Sequence, residues 1–195
     1  MWPELGSIVD ETKRYSAKDT LSRDQYRRIT RALDNDLERF LLSNRTFFVL
    51  GSYGNRERER LTAVKNRLNR DGYAFLMDDM PEAWEFWTTK FKVLANRADY
   101  IVGVYEHADG GHEWEAGYLD HEEYREKMHV LKREYVDLDD PTEEPFDGMF
   151  AHFVQLLNRL GRVGFWDGRT DADDAELTAN LLDATDALCE ELSEQ

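Results

Sequence analysis

The run Tyr100-Ile101-Val102-Gly103-Val104-Tyr105 limits this chain more than any other stretch. It is β-branched and aromatic, and it lacks the polar alternation of a strand with one wet face. It therefore reads as a strand buried on both faces. Such a strand needs helices on either side of a parallel sheet, because that architecture hides both faces. Runs of the same kind are Thr46-Phe47-Phe48-Val49-Leu50, Tyr73-Ala74-Phe75-Leu76-Met77 and Met128-His129-Val130-Leu131, and Arg162-Val163-Gly164-Phe165 reads as a shorter edge strand. Helical periodicity fills the gaps. Arg56 to Arg70 turns Leu61, Val64 and Leu68 inward, and Pro81 to Arg97 carries Trp84, Trp87, Phe91, Val93 and Leu94. His112 to about Lys127 and Phe146 to Leu160 read as two more helices.

This alternation, with short connections, predicts a three-layer α/β fold of about five parallel strands. The expected strand order is the flavodoxin-like 2-1-3-4-5, with its switch point between the first and third strands. Residues 1–44 are expected to form an N-terminal helical extension, 45–166 the α/β domain, and 167–195 a C-terminal helix. Within the extension the first 18 residues carry no clear pattern. Thr20 to Leu42 then reads as one amphipathic helix, opened by a capping box at Ser22-Arg23-Asp24-Gln25. Ala175 to Leu192 reads as the terminal helix, after a polar linker from Asp167 to Asp174, and Glu134 to Pro145 as a long acidic loop.

Charge narrows the function classes. The formal net charge is -16, from 41 acidic against 25 basic residues, and seven of the basic residues are Lys. An acidic excess with few lysines suits high salt, where a hydrated anionic surface stays soluble and counterions screen its self-repulsion. It argues against a nucleic-acid polymer as partner, since phosphate contacts need Lys and Arg. Cys189 is the one cysteine; it excludes an intrachain disulfide and reads as a small core residue among leucines. The opening residues lack the apolar segment of a signal peptide, and no run reaches membrane-spanning length. A cytoplasmic protein without a membrane partner is the expectation.

Chemistry concentrates after the central strand, in Glu106 to Gly117. Acids in the turn at the carboxyl end of such a strand lie where open α/β sheets bind ligands. Asp109 and Glu115 are the candidate catalytic residues. One carboxylate can attack the anomeric carbon of a ribosyl group, and a second, held protonated, can donate to the leaving base. The same acids could simply decorate a helix N-terminus. The turn after the first strand, Gly51-Ser52-Tyr53-Gly54-Asn55, opens a helix and could hold an anion on free backbone N–H groups, although it is neither GxGxxG nor a Walker motif. His107, Asp109, His112 and Glu113 cluster without an established zinc spacing, so no metal and no cofactor is expected.

The segment Asp99 to Leu119 resembles the nucleoside 2-deoxyribosyltransferase superfamily, which includes the deoxynucleoside 5′-monophosphate N-glycosidases and has a flavodoxin-like fold. The matching pattern is Gly103-Val104-Tyr105, then Asp109, then Gly111-His112-Glu113-Trp114-Glu115-Ala116-Gly117-Tyr118. The resemblance implies that Glu115 is the nucleophile and that Asp109 contacts the substrate near the reacting centre. Gly111 and Gly117 fall in the same substrate-binding pattern. It further implies a 5′-phosphate or ribose site at Gly51, Ser52, Asn55 and Arg56. The likeness spans roughly Thr46 to Arg133. Two departures stand out: a Tyr common in the family's first strand falls on Phe48, and an Asp on the helix before the central strand falls near Phe91.

The expected activity is N-ribosyl bond cleavage or transfer on a nucleoside or nucleotide. Two alternatives remain: an NAD glycohydrolase like those of Toll/interleukin-1-receptor domains, and a non-catalytic nucleotide-binding or assembly module of the same fold. Apolar helix faces near both termini add the expectation of a homo-oligomer.

Overall fold

The structure is a computed structural model that describes residues 4–34, 37–107, 112–138, 146 and 148–194. Five strands form one parallel sheet in the order β2-β1-β3-β4-β5. They are β1 (Thr46–Gly51), β2 (Tyr73–Phe75), β3 (Tyr100–Tyr105), β4 (Met128–Glu134) and β5 (Val163–Asp167). The flavodoxin-like order expected from the alternation is the order observed. In the centre, Phe48 pairs with Ile101 and Gly51 with Val104. Strand β1 is buried from Thr46 to Leu50, and β3 from Ile101 to Tyr105, as unalternating apolar runs require.

Helices cover both faces. On one face α4 (Asn55–Leu68) and α9 (Asp174–Ser193) pack on the sheet. Leu61, Val64, Leu68, Leu177, Leu181, Cys189 and Leu192 close over Phe47, Val49, Val102 and Val104 there. Cys189 is thus a buried core residue, and burial pushes its thiol up to about 11. The other face carries α5 (Trp87–Arg97), α6 (His112–Leu119) and α8 (Gly148–Arg159) over Phe48, Leu50, Ile101 and Tyr105. A short helix, α7 (Glu122–Arg125), leads into β4.

Several boundaries differ from the sequence reading, each for a local reason. Residues 5–16, which show no clear pattern in sequence, form helix α1 (Leu5–Ser16), with Leu5, Ile8, Val9 and Thr12 buried. This helix packs on α5 and α2. The expected helix Thr20 to Leu42 is instead α2 (Arg23–Asp34) and α3 (Leu37–Leu42), with 35–36 outside the described residues. Its start is as expected: the Gln25 N–H donates to Ser22 Oγ at 3.1 Å. Tyr26, however, is exposed rather than inward. Helix α5 begins at Trp87, not at Pro81. The preceding segment is tied down by side chains: Trp84 Nε1 donates to Thr12 Oγ1 at 3.0 Å, and the buried Lys90 ammonium donates to the Met80 carbonyl at 2.7 Å and to Glu82. The helix expected to run to Lys127 stops at Leu119. Glu134 belongs to β4, and most of the acidic loop that follows lies outside the described residues. None of the described helices is long and apolar enough to cross a membrane.

Candidate functional site

The carboxyl ends of β1 and β3 are neighbours at the point where strand order reverses. In open α/β sheets the ligand crevice forms at such a point, outside the carboxyl ends of the strands. Residues β3 sends to opposite faces of the sheet meet different fates. Glu106, just beyond β3, turns toward α4 and is 3 % exposed. Arg60 of α4, 4 % exposed, grips it with one edge of its guanidinium, Nε at 3.1 Å from Oε1 and Nη2 at 2.6 Å from Oε2. The third Arg60 nitrogen donates to Asp174 at the start of α9 at 3.0 Å. Tyr135 donates its hydroxyl to the Glu106 carbonyl. This acid is a clasp between the end of β3, α4 and α9.

Tyr105 turns to the other face and is fully buried, its ring edge to face with Phe150 at 4.7 Å. Burial pushes its hydroxyl well above the usual phenol range, and the charge of Glu115 pushes it further. Tyr53, in the turn after β1, feels the same carboxylate. Its ring is 41 % exposed, yet burial of the hydroxyl, the charge of Asp78 and, further down, that of Glu115 push it up to about 12 against the Met77 backbone. Glu115 itself is half-buried on α6. One carboxylate and two phenols, from the turn after β1, the end of β3 and the helix after β3, therefore share one electrostatic neighbourhood. Both phenols are protonated at neutral pH.

Both departures noted in the sequence fall on the packed core. Phe48 and Phe91 are completely buried, Phe48 stacked on Phe75 and Phe91 tilted against Phe48 with 5.6 Å between the two rings. Neither position can present a polar group. The phenols that the Glu115 charge pushes up are those of Tyr53 and Tyr105. Spacing alone does not single these out. The signal available was position: Tyr105 is the last residue of the central apolar run, and Tyr53 lies in the turn facing it.

The other site residues divide. Asp109 and Gly111 lie outside the described residues. Gly51 has a packing reason to be glycine: a Cβ there would sit 2.8 Å from Leu61 Cδ1 and 3.0 Å from the Val104 carbonyl. Ser52 is half-buried beside it, and Asn55 is exposed as the first residue of α4. At the start of that helix the Glu57 carboxylate folds back over Gly54. Arg56 is paired with Asp174 at 3.1 Å and Arg58 with Asp78 at 2.8 Å. The arginines of the first turns of α4 thus already carry carboxylates. Gly117 sits about 200° around α6 from Glu115. It lines a cavity of about 380 Å³ with Trp114, Ala116, Asp120 and α8 side chains. Among the described residues no group of three or more His, Cys, Asp or Glu side chains could hold a metal ion.

Residues 4–156 match the sequence profile of a family described as a family of unknown function (DUF8170), and the chain belongs to that family. The matched region holds β1 to β4 and the Glu115 crevice, and ends within α8. No curated protein matches the sequence.

Proposed function

We propose that this member of the DUF8170 family cleaves or transfers an N-ribosyl bond, with Glu115 as the nucleophile. The observation that carries the reading is the placement of Glu115 at the switch point of the sheet, within electrostatic reach of Tyr105 and Tyr53. In the proposed reaction the Glu115 carboxylate attacks C1′ of the sugar. A C1′–O bond forms as the C1′–N bond breaks, and the base leaves with the bonding pair. Asp109 positions the sugar or donates the proton the base takes up. Water, or a second base, then attacks C1′ and releases the carboxylate. The phenols of Tyr105 and Tyr53 stay neutral, so neither adds a second negative charge beside the nucleophile.

The pairing of Arg56 and Arg58 with their own acids favours a neutral nucleoside over its 5′-phosphate. A second reading, a non-catalytic nucleoside-binding module, draws support from the apolar burial of Phe48 and Phe91. Free-base release from deoxynucleosides, deoxynucleoside monophosphates and NAD, in molar salt, separates the readings. Wild type should release base from at least one nucleoside, and Glu115→Gln should lower that rate by orders of magnitude while the fold survives. Release from NAD alone selects the glycohydrolase alternative. A folded wild type that is thermally protected by nucleosides but releases no base selects the binding module. Cleavage by Glu115→Gln at the wild-type rate refutes the mechanism.

A further inference from the structure

Three large aromatic side chains around the amino ends of α5 and α6 stand in water. Phe86 is 49 %, Trp87 56 % and Trp114 39 % exposed. Trp87 is the first residue of α5 and Trp114 the third of α6. The amino ends of both helices stand at the carboxyl edge of the sheet, since each helix follows a strand in a parallel βαβ unit. The two indoles meet edge to face, with centroids 4.8 Å apart and planes at 64°. Trp114 is held from behind by Phe91 at 5.3 Å and by Tyr118, whose ring lies parallel at 5.9 Å. The Lys92 ammonium lies 6.0 Å from the same indole. Core packing thus accounts for Trp114. It does not account for Trp87, which is propped up by Trp114 and more than half open to solvent. Trp114 and Glu115 are consecutive residues about 100° apart around the first turn of α6, so the aromatic corner and the candidate nucleophile share that end of the helix.

We propose that Trp87 is the stacking platform for the nucleobase of the substrate, braced by Trp114; this rests on the nucleoside reading of the Glu115 crevice. A flat π face in water, fixed in orientation by a second indole, recognises another flat ring. Stacking also suits a chain of this charge. It needs no counterion and is not screened by salt, whereas a phosphate contact would weaken as salt rises. Ring overlap grows with ring size, so purines bind more tightly than pyrimidines.

Calorimetric titration tests this with deoxyadenosine, deoxycytidine, adenine and 2-deoxyribose as probes. Titrations with the two nucleosides use the Glu115→Gln background, so that nothing is turned over. Trp87→Ala should weaken deoxyadenosine and adenine binding by about tenfold to a hundredfold, the range that base–aromatic stacking supplies. Binding of 2-deoxyribose should not change, and Trp87→Phe should restore part of the loss. Trp87 is exposed, so the variant should fold, and circular dichroism checks that it does. Deoxyadenosine binding by Trp87→Ala as tight as by its parent overturns the platform. So does unchanged affinity with a lower mass by light scattering, which would make the corner a contact between copies of the chain. If wild type binds adenine through Trp87 but cleaves no nucleoside, the platform stands and the catalytic reading falls. If wild type cleaves deoxyadenosine and Trp87→Ala does so with the same KM, the reverse holds. Failure of wild type to bind any base-bearing probe refutes the platform.

Discussion

Replacing Arg60 with Met removes the guanidinium and keeps most of the stem. The Glu106 carboxylate, 3 % exposed, then loses every hydrogen bond it takes from Arg60. Breaking a buried ion pair from one side costs about 3–5 kcal/mol, because the surviving charge is left out of water without compensation. Arg133 softens the loss, since its Nη1 stands 3.9 Å from Glu106 Oε2, so the low end of that range, about 3 kcal/mol, is expected. For a chain of this size that lowers the melting temperature by about 6–12 °C. The double variant Arg60→Met, Glu106→Leu should recover most of the deficit, because no buried charge remains. Urea denaturation and calorimetry at 0.1 M and 2 M potassium chloride supply the assay. The wild-type melting temperature should rise with salt if the -16 charge is a halophilic adaptation. The Arg60→Met deficit should persist at both concentrations, because a pair this deeply buried is little screened. A loss below about 1 kcal/mol would place the pair in the range of surface salt bridges and refute the argument. A double variant less stable than Arg60→Met would refute it equally.

Two further outcomes follow from packing and from a buried titratable group. Gly51→Ala drives a methyl to 2.8 Å from Leu61 Cδ1 and 3.0 Å from a backbone oxygen of β3, and should destabilise by about 1–3 kcal/mol in the same melts; unchanged stability would mean the close approach is not real. His129 is buried in β4, and burial, then the charge of Arg162, lower it from 6.5 to about 4. The unfolded chain takes up this proton first, so the stability it holds is whole above pH 6.5 and is lost as pH falls through 4, about 3 kcal/mol in all. Following the His129 ring by NMR from pH 7 to 4 checks this; titration near 6.5 in the folded protein would contradict it.

Local pattern determined the sheet. Unalternating apolar runs can be hidden only between two helical layers, and short right-handed crossovers leave few strand orders. Both properties are written in neighbouring residues, which is why β1, β3 and the order 2-1-3-4-5 are legible without coordinates. Helix ends are less so. Pro81 to Phe86 has helical composition but is held off the helix by Lys90 and by a Trp84 bond to Thr12, 72 residues away. The same tie buries Trp84 and leaves Trp87 in water, although the two tryptophans look alike in sequence.

The division of labour among the acids was a tertiary decision. Glu106 and Glu115 flank the same loop, and nothing within that stretch separates them. One meets Arg60, brought from 46 residues away, and is neutralised in the interior. The other lies half-buried on α6, where its charge raises the titration of Tyr105 and Tyr53, phenols carried by the ends of different strands. Arg56, promising for a phosphate in the sequence, is taken by Asp174 of the last helix. A carboxylate's role depends on which charge or hydroxyl the fold delivers to it. Burial multiplies the strength of whichever partner arrives, and that delivery is set by crossovers that no local window of sequence contains.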